Sequence, residues 1–160
     1  MQSQELSDRR EEEMLGELEP PEIEELLRSE VIGRIGCHAE GRTYVVPVTY
    51  AYDGESVYGH SGEGMKLRMM RRNPRVCFQV EHVEDISNWR SVIAWGTFTE
   101  LSGDGALRAM DLLIARLSAL PAGESGRVPY VAAEPLGRDG RSVVLYRIRL
   151  TEKTGRFERT

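Results

Sequence analysis

The chain has 160 residues, 40% of them hydrophobic and 29% charged, with a formal net charge of −5. That length suits one domain with its own core, and that composition is ordinary for a globular protein. Residues 1–22 hold eight acids and two bases, so the rest carries about +1 of the total; a near-neutral body argues against a nucleic-acid partner.

No apolar run is long enough for a membrane helix, and the N-terminus is too acidic for a secretory leader. A cytoplasmic location is expected, with no membrane partner. Cys37 and Cys77 lie in separate strand patterns and are expected as buried free thiols. His38, His60 and His82 show no metal-ligand spacing, so no metal is expected.

Residues 1–20 read as an acidic flexible tail, and 21–160 as a single domain. Pro21 to Arg28 reads as a short helix with an early proline, acids in its first turn, and Ile23, Leu26 and Leu27 on one side. Val31 to Ala39 is the first strand, and Glu40-Gly41-Arg42 a turn. Thr43 to Tyr52 reads as the longest β run. It points Tyr44, Val46, Val48, Tyr50 and Tyr52 one way and Val45, Pro47, Thr49 and Ala51 the other. Asp53-Gly54 predicts a hairpin into Ser56 to His60. A helix follows from about Gly64 to Asn73, stopped by Pro74.

Arg75 to Glu81 is a strand with Val76, Phe78 and Val80 on one face. Trp89 to Leu101 is another, with Gly96 as a bulge or barrel corner. Asp104 to Leu120 is the clearest helix, with Leu107, Met110, Ile114 and Leu117 as its stripe and Leu113 and Leu120 beside it. Pro121 to Arg141 is a long loop, of a length that is usually functional or partly disordered. Ser142 to Leu150 is the last strand, with Thr151 to Thr160 extending it after a turn at Gly155. Six β runs joined mostly by short turns predict a mainly β fold: a six-stranded antiparallel barrel with helices packed outside.

Chemistry concentrates at His60-Ser61-Gly62-Glu63-Gly64-Met65-Lys66, where glycines, a hydroxyl and a lysine meet a helix start. At about 100° per residue, Met65, Leu67, Met69 and Met70 share one apolar face, and Arg68, Arg71 and Arg72 the opposite one. Lys66 projects from the apolar face. An inward ammonium is costly unless paired, and the first-turn N–H groups point the same way with a positive dipole end. Together they ask for an anion. The plainer reading is that the glycines turn the chain, Ser61 caps the helix, and Lys66 snorkels to water. Pro47 is the second oddity. It cannot donate to a ladder, so it marks either an edge strand or bulge, or a gap where a ligand meets freed backbone groups.

These residues carry a resemblance. Val45-Val46-Pro47-Val48-Thr49-Tyr50, Tyr58-Gly59-His60-Ser61, Gly64-Met65-Lys66, Asn73-Pro74-Arg75-Val76 and Trp89-Arg90-Ser91-Val92 with Gly96 occur in this order. The chain closes with Tyr146-Arg147-Ile148 and Lys153-Thr154-Gly155-Arg156. The set resembles the pyridoxamine 5′-phosphate oxidase-like FMN-binding split-barrel proteins, in the branch with nitroimidazole-resistance reductases, over Glu22 to Phe157. It implies an FMN-binding six-stranded split barrel and a homodimer with its cofactor sites at the interface. The flavin phosphate would lie near Ser61 and Lys66, with Gly62 and Met65 flanking it at the helix start. The ring system would lie along Pro47, Val48, Thr49 and Tyr50, with His60 near it as the candidate catalytic residue. Trp89 and Ser91 would close the site, from the same or the other subunit.

In flavin chemistry the cofactor carries the redox step and the protein positions it. No Ser-His-Asp or Cys-His arrangement argues otherwise. The vitamin-forming oxidases carry a longer C-terminal region for the substrate phosphate, with no counterpart here, so pyridoxamine phosphate is not the expected substrate. Two functions stand: an FMN-dependent oxidoreductase acting on a small molecule or electron donor, with nitro-compound reduction among the candidates, or a non-catalytic module carrying FMN, haem or a deazaflavin.

Overall fold

The computed structural model describes residues 15–120 and 143–160. In chain order these form β1 (Leu15–Glu17), α1 (Pro20–Ser29), β2 (Ile32–Ala39), β3 (Arg42–Thr49), β4 (Ala51–Tyr52) and β5 (Ser56–Ser61). There follow α2 (Met65–Arg72), β6 (Arg75–Asp85), β7 (Asn88–Leu101), α3 (Gly103–Ser118) and β8 (Val144–Glu158). The long loop expected at Pro121–Arg141 lies outside the described residues.

All eight strands belong to one antiparallel sheet in the order β3-β2-β6-β7-β8-β5-β4, with β1 pairing the far end of β8. Its two edges, β3 and β4, are successive stretches of chain separated by Tyr50 alone. The sheet therefore curls until its edges share one covalent run without a ladder closing them. This is a split barrel, mainly β with flanking helices. The count of eight exceeds the expected six for two reasons. The run from Thr43 to Tyr52 breaks at Tyr50, whose N–H turns to the Val31 carbonyl at 3.1 Å. Leu15–Glu17, which the sequence assigns to the acidic tail, pairs with Arg156–Glu158 as a short strand.

Local chemistry sets the turns. Glu40 and Gly41 both have positive φ, at 52° and 77°, between the paired residues Ala39 and Arg42. That is a two-residue primed hairpin, whose twist matches the strands. At the next turn, Asp53 Oδ1 accepts the Glu55 and Ser56 N–H groups at 2.9 and 2.7 Å, and Oδ2 accepts the Tyr58 hydroxyl at 2.9 Å.

Gly96 marks the bulge. Trp95 pairs with Glu152 and Gly96 with Leu150, so Thr151 is the extra residue on β8. A Cβ at Gly96 would lie 2.3 Å from the Arg149 carbonyl oxygen, so only glycine fits. Gly155, by contrast, makes no turn. β8 runs through it to Glu158, and its missing side chain leaves room for Leu18.

The main core fills the barrel with Ile35, Val57, Phe78, Val80, Val92 and Ile148, covered by Leu26 and Leu27 of α1 and Leu67 and Met70 of α2. Helix α3 makes a second cluster outside, setting Ala109, Leu113 and Leu117 on Ala51, Tyr58 and Leu145. Its buried face is thus rotated from the expected stripe, and Leu107 is 66% exposed. The small Ala109, which allows close approach, centres the contact that the larger residues suggest elsewhere.

Candidate functional site

The site is built where β5 runs into α2. β5 pairs with β8 as far as Ser61–Val144, which fixes His60 opposite Leu145. Gly62–Gly64 then turn the chain and α2 begins at Met65. No side chain among the described residues caps that helix. Ser61 Oγ instead donates to the Gly62 carbonyl at 2.7 Å, so the expected Ser61 cap does not form. The N–H of Arg68 reaches the Gly64 carbonyl at 3.2 Å. The N–H groups of Met65, Lys66 and Leu67 are the first-turn donors that an α-helix leaves without intrahelical partners.

Lys66 is half-buried in this first turn, beside the fully buried Leu67. Burial pushes its pKa down. No carboxylate among the described residues lies within ion-pair distance of it. The acid nearest in sequence, Glu63, is turned away: Arg71 holds both its oxygens at 2.7 and 2.8 Å. Arg71 also grips Glu100 at 2.9 and 3.0 Å. The turn therefore commits its negative charge to Arg71 and leaves Lys66 without a carboxylate from the described residues. His60 is half-buried beside Lys66, and its pKa is lowered first by burial and then by the Lys66 charge. A partly desolvated ammonium and free first-turn amides fit a phosphate group. The residues present therefore suit the phosphate end of a phosphorylated cofactor.

The other predicted site residues fall in two groups. Val48 on β3 and Tyr50 just beyond its end are buried, at 9% and 1% exposure. The Tyr50 hydroxyl donates to the Leu27 carbonyl at 2.7 Å. The Tyr50 side chain thus ties the barrel to α1, and a ligand would meet Val48 and Tyr50 through the backbone. Pro47 and Thr49 face outward. Because β3 is an edge of the sheet, Pro47 sits where its missing donor is tolerated. On β7, Trp89 Nε1 donates to Glu158 Oε2 at 3.0 Å, and Ser91 Oγ accepts from Gln79 Nε2 at 3.3 Å. These lie near the start of β7, whereas Leu101 at its far end pairs with Leu145, the partner of His60. Leu101 lies twelve positions beyond Trp89 and ten beyond Ser91, on the order of 30–40 Å of strand contour. One chain does not bring Trp89 and Ser91 to Lys66.

Two surface features complete the region. A groove of about 660 Å³ runs between α2 and the β2–β3 turn, lined by Ala39, Glu40, Arg42, Met65, Met69 and the arginines of α2. Arg42 contributes a charge to it that helical periodicity could not reveal, because the hairpin brings it there. The outer sheet face carries exposed Val45, Ile93 and Trp95 around a shallow hollow of about 500 Å³ beside Gly36 and Cys77. Among the described residues there is no group of three or more potential metal ligands, and no helix is long and apolar enough to cross a membrane.

Comparisons with known proteins agree with this architecture. A FAD-binding protein of Mesorhizobium loti superimposes with a TM-score of 0.71 at 29% identity, over 91% of this chain and 99% of that one. A candidate 5-nitroimidazole antibiotic resistance protein of Bacteroides thetaiotaomicron gives 0.67 at 21% identity, over 89% and 87%. A FAD-binding protein of Mycobacterium smegmatis gives 0.61 at 20% identity, over 89% and 100%. The latter two likenesses speak to the fold alone. An uncharacterised protein of Rhizobium meliloti (strain 1021) is 36% identical over 70 residues, which span 44% of this chain and 46%, under half, of that protein. The profile of the pyridoxamine 5′-phosphate oxidase family matches residues 19–157, so this chain belongs to that family.

Proposed function

We propose that the chain binds a flavin through its FMN unit and acts as an oxidoreductase on a small molecule, with nitro compounds among the candidate acceptors. Lys66 carries this reading: it is an inward, half-buried cation with no carboxylate among the described residues, at an uncapped helix start. The phosphate would sit on Lys66 and the first-turn amides beside Ser61, Gly62 and Met65. The ring would lie along the backbone of Pro47 to Tyr50, with His60 near its edge. Bound flavin supplies the electron transfer. The protein's own part is to hold the phosphate, orient the ring and keep His60 neutral as a donor to an oxygen. The FAD-binding name of the Mesorhizobium loti protein supports the choice of a flavin cofactor.

The reading includes a homodimer. Trp89 and Ser91 are too far along β7 to reach Lys66 of their own chain, so they can contribute to a site only from a second copy. The exposed Val45, Ile93 and Trp95 give the sheet face an apolar surface suited to such contact. A particle near 18.1 kDa by light scattering would contradict it.

The visible spectrum of the purified protein tests the cofactor. Flavin absorption, native or after reconstitution, supports the reading; a protein that cannot be reconstituted with flavin refutes it. Reduction by a nicotinamide donor with a nitroaromatic acceptor then separates an enzyme from a carrier.

A further inference from the structure

We propose that Arg71 is a positioning residue of the phosphate site, one that keeps Glu63 from taking the place of the phosphate beside Lys66. The inference rests on the proposed flavin site and deepens it. Glu63 is the carboxylate of the turn between β5 and α2, next to the N-cap residue Gly64 and three residues before Lys66. The free amides and positive dipole end that favour a phosphate at a helix start also favour a carboxylate. The nearby ammonium adds to that attraction. By its place in the chain, Glu63 is therefore a rival of any anionic ligand at this turn.

The structure withdraws the rival. Arg71 donates from Nη1 and Nη2 to the two Glu63 oxygens at 2.7 and 2.8 Å. From Nε and Nη2 it donates to both oxygens of Glu100 on β7, at 2.9 and 3.0 Å. One guanidinium thus forks to two carboxylates, and Glu100 anchors the arm that holds Glu63. Isolated surface ion pairs contribute little, but bidentate and networked pairs are the exception. The Arg71 hydrogen bonds are the first cause lowering the Glu63 pKa, and the charges of Arg71 and Arg68 act in the same direction, so Glu63 stays an anion. Little else fastens the turn. A Cβ at Gly62 or Gly64 would meet no atom of the described residues within 4 Å. The bond from Ser61 Oγ to the Gly62 carbonyl is local. Without Arg71, two unpacked glycines would let Glu63 swing to Lys66 and the first-turn N–H groups.

The chain has only two lysines, so isotope-labelled reductive methylation lets the Lys66 titration be followed by NMR on the flavin-free protein. In R71M, Lys66 should titrate about 0.5–1 pH unit higher than in wild type, as a carboxylate joins it. In R71M/E63Q it should return to the wild-type value. FMN should bind R71M about fivefold more weakly than wild type, and R71M/E63Q within about twofold of wild type. Riboflavin, which lacks the phosphate, should bind all three equally. E63Q alone should match wild type in every readout. Melting curves verify the folds, and R71Q repeats the comparison if R71M melts lower. A Lys66 titration unmoved in R71M, or an FMN loss that E63Q does not rescue, overturns the inference while the flavin reading stands. If wild type binds no flavin and Lys66 still titrates as expected, the flavin reading fails and the hold of Arg71 on Glu63 stands.

Discussion

Burial holds the His60 imidazole below its ordinary pKa, and the charge of Lys66 beside it pushes further in the same direction. Lys66 is itself lowered by burial. Two bases in one turn, both disfavouring their protons, make a pocket that gains from an incoming negative charge.

This relationship sets a pH dependence of the flavin-free protein. The folded pKa of His60 lies below the ordinary value near 6.5, so the unfolded chain binds that proton more readily. Stability from neutral His60 is therefore present above about pH 6.5 and lost as pH falls through it toward the folded value. Chemical unfolding measured across this range should show the loss in wild type and a flatter profile in His60→Asn. A profile unchanged by the substitution would remove His60 from the turn's electrostatics.

Lys66→Met should stabilise the flavin-free protein while weakening flavin binding. The substitution keeps the stem and removes a charge that burial disfavours. The melting temperature should rise by about 2–4 °C for each kcal/mol relieved at this size. A fall in melting temperature would mean that the ammonium is paired in solution.

A second cluster ties α1 to the barrel. Lys153 Nζ donates to Glu24 Oε1 at 2.5 Å and to the Tyr52 hydroxyl oxygen at 2.8 Å, and that hydroxyl donates to Glu24 Oε2 at 2.7 Å. The Glu24 pKa is lowered overall: burial raises it, and the bonds from Lys153 and Tyr52 outweigh that effect. Lys153→Ala leaves a partly buried carboxylate without its cation and should cost about 1–3 kcal/mol by thermal or urea unfolding. Among the described residues Lys153 thus has an ion-pair partner and Lys66 has none, although they are the only lysines of the sequence.

Tyr146 and Gly59 form a tight pair across β5 and β8. The Tyr146 hydroxyl is fully buried with no hydrogen-bond partner among the described residues. A Cβ on Gly59 would come within 2.4 Å of it. Tyr146→Phe removes an unsatisfied polar group and should be neutral or stabilising by about 1 kcal/mol. Gly59→Ala should destabilise by about 1–3 kcal/mol through overpacking. Denaturant unfolding of both variants checks the pair; a large loss in Tyr146→Phe would reveal a hidden partner for the hydroxyl.

Much of this fold was legible in local pattern. Alternation from Tyr44 to Val48 and at Val76, Phe78 and Val80 gave the correct inward faces, because strand periodicity reports burial directly. Gly96 was readable as a bulge, since a mid-strand glycine has few other uses. Less legible was whatever depends on distant partners. The break at Tyr50 comes from its tie to Val31, and the strand at Leu15–Glu17 exists because the end of β8 is there to receive it. In the site, Lys66 was placed inward by helical geometry alone. That Glu63 turns to Arg71, and that Arg42 joins the arginines of α2, required the hairpin and sheet to bring distant residues together.

If Lys66 holds the flavin phosphate, titration of flavin-stripped wild type and Lys66→Ala with FMN and with riboflavin will separate the two proteins. The substitution should weaken FMN binding by about 1.5–3 kcal/mol, as for a lost charge-assisted contact, and leave riboflavin binding unchanged. Equal FMN affinity in the two proteins, or an equal loss for riboflavin, would contradict that role of Lys66.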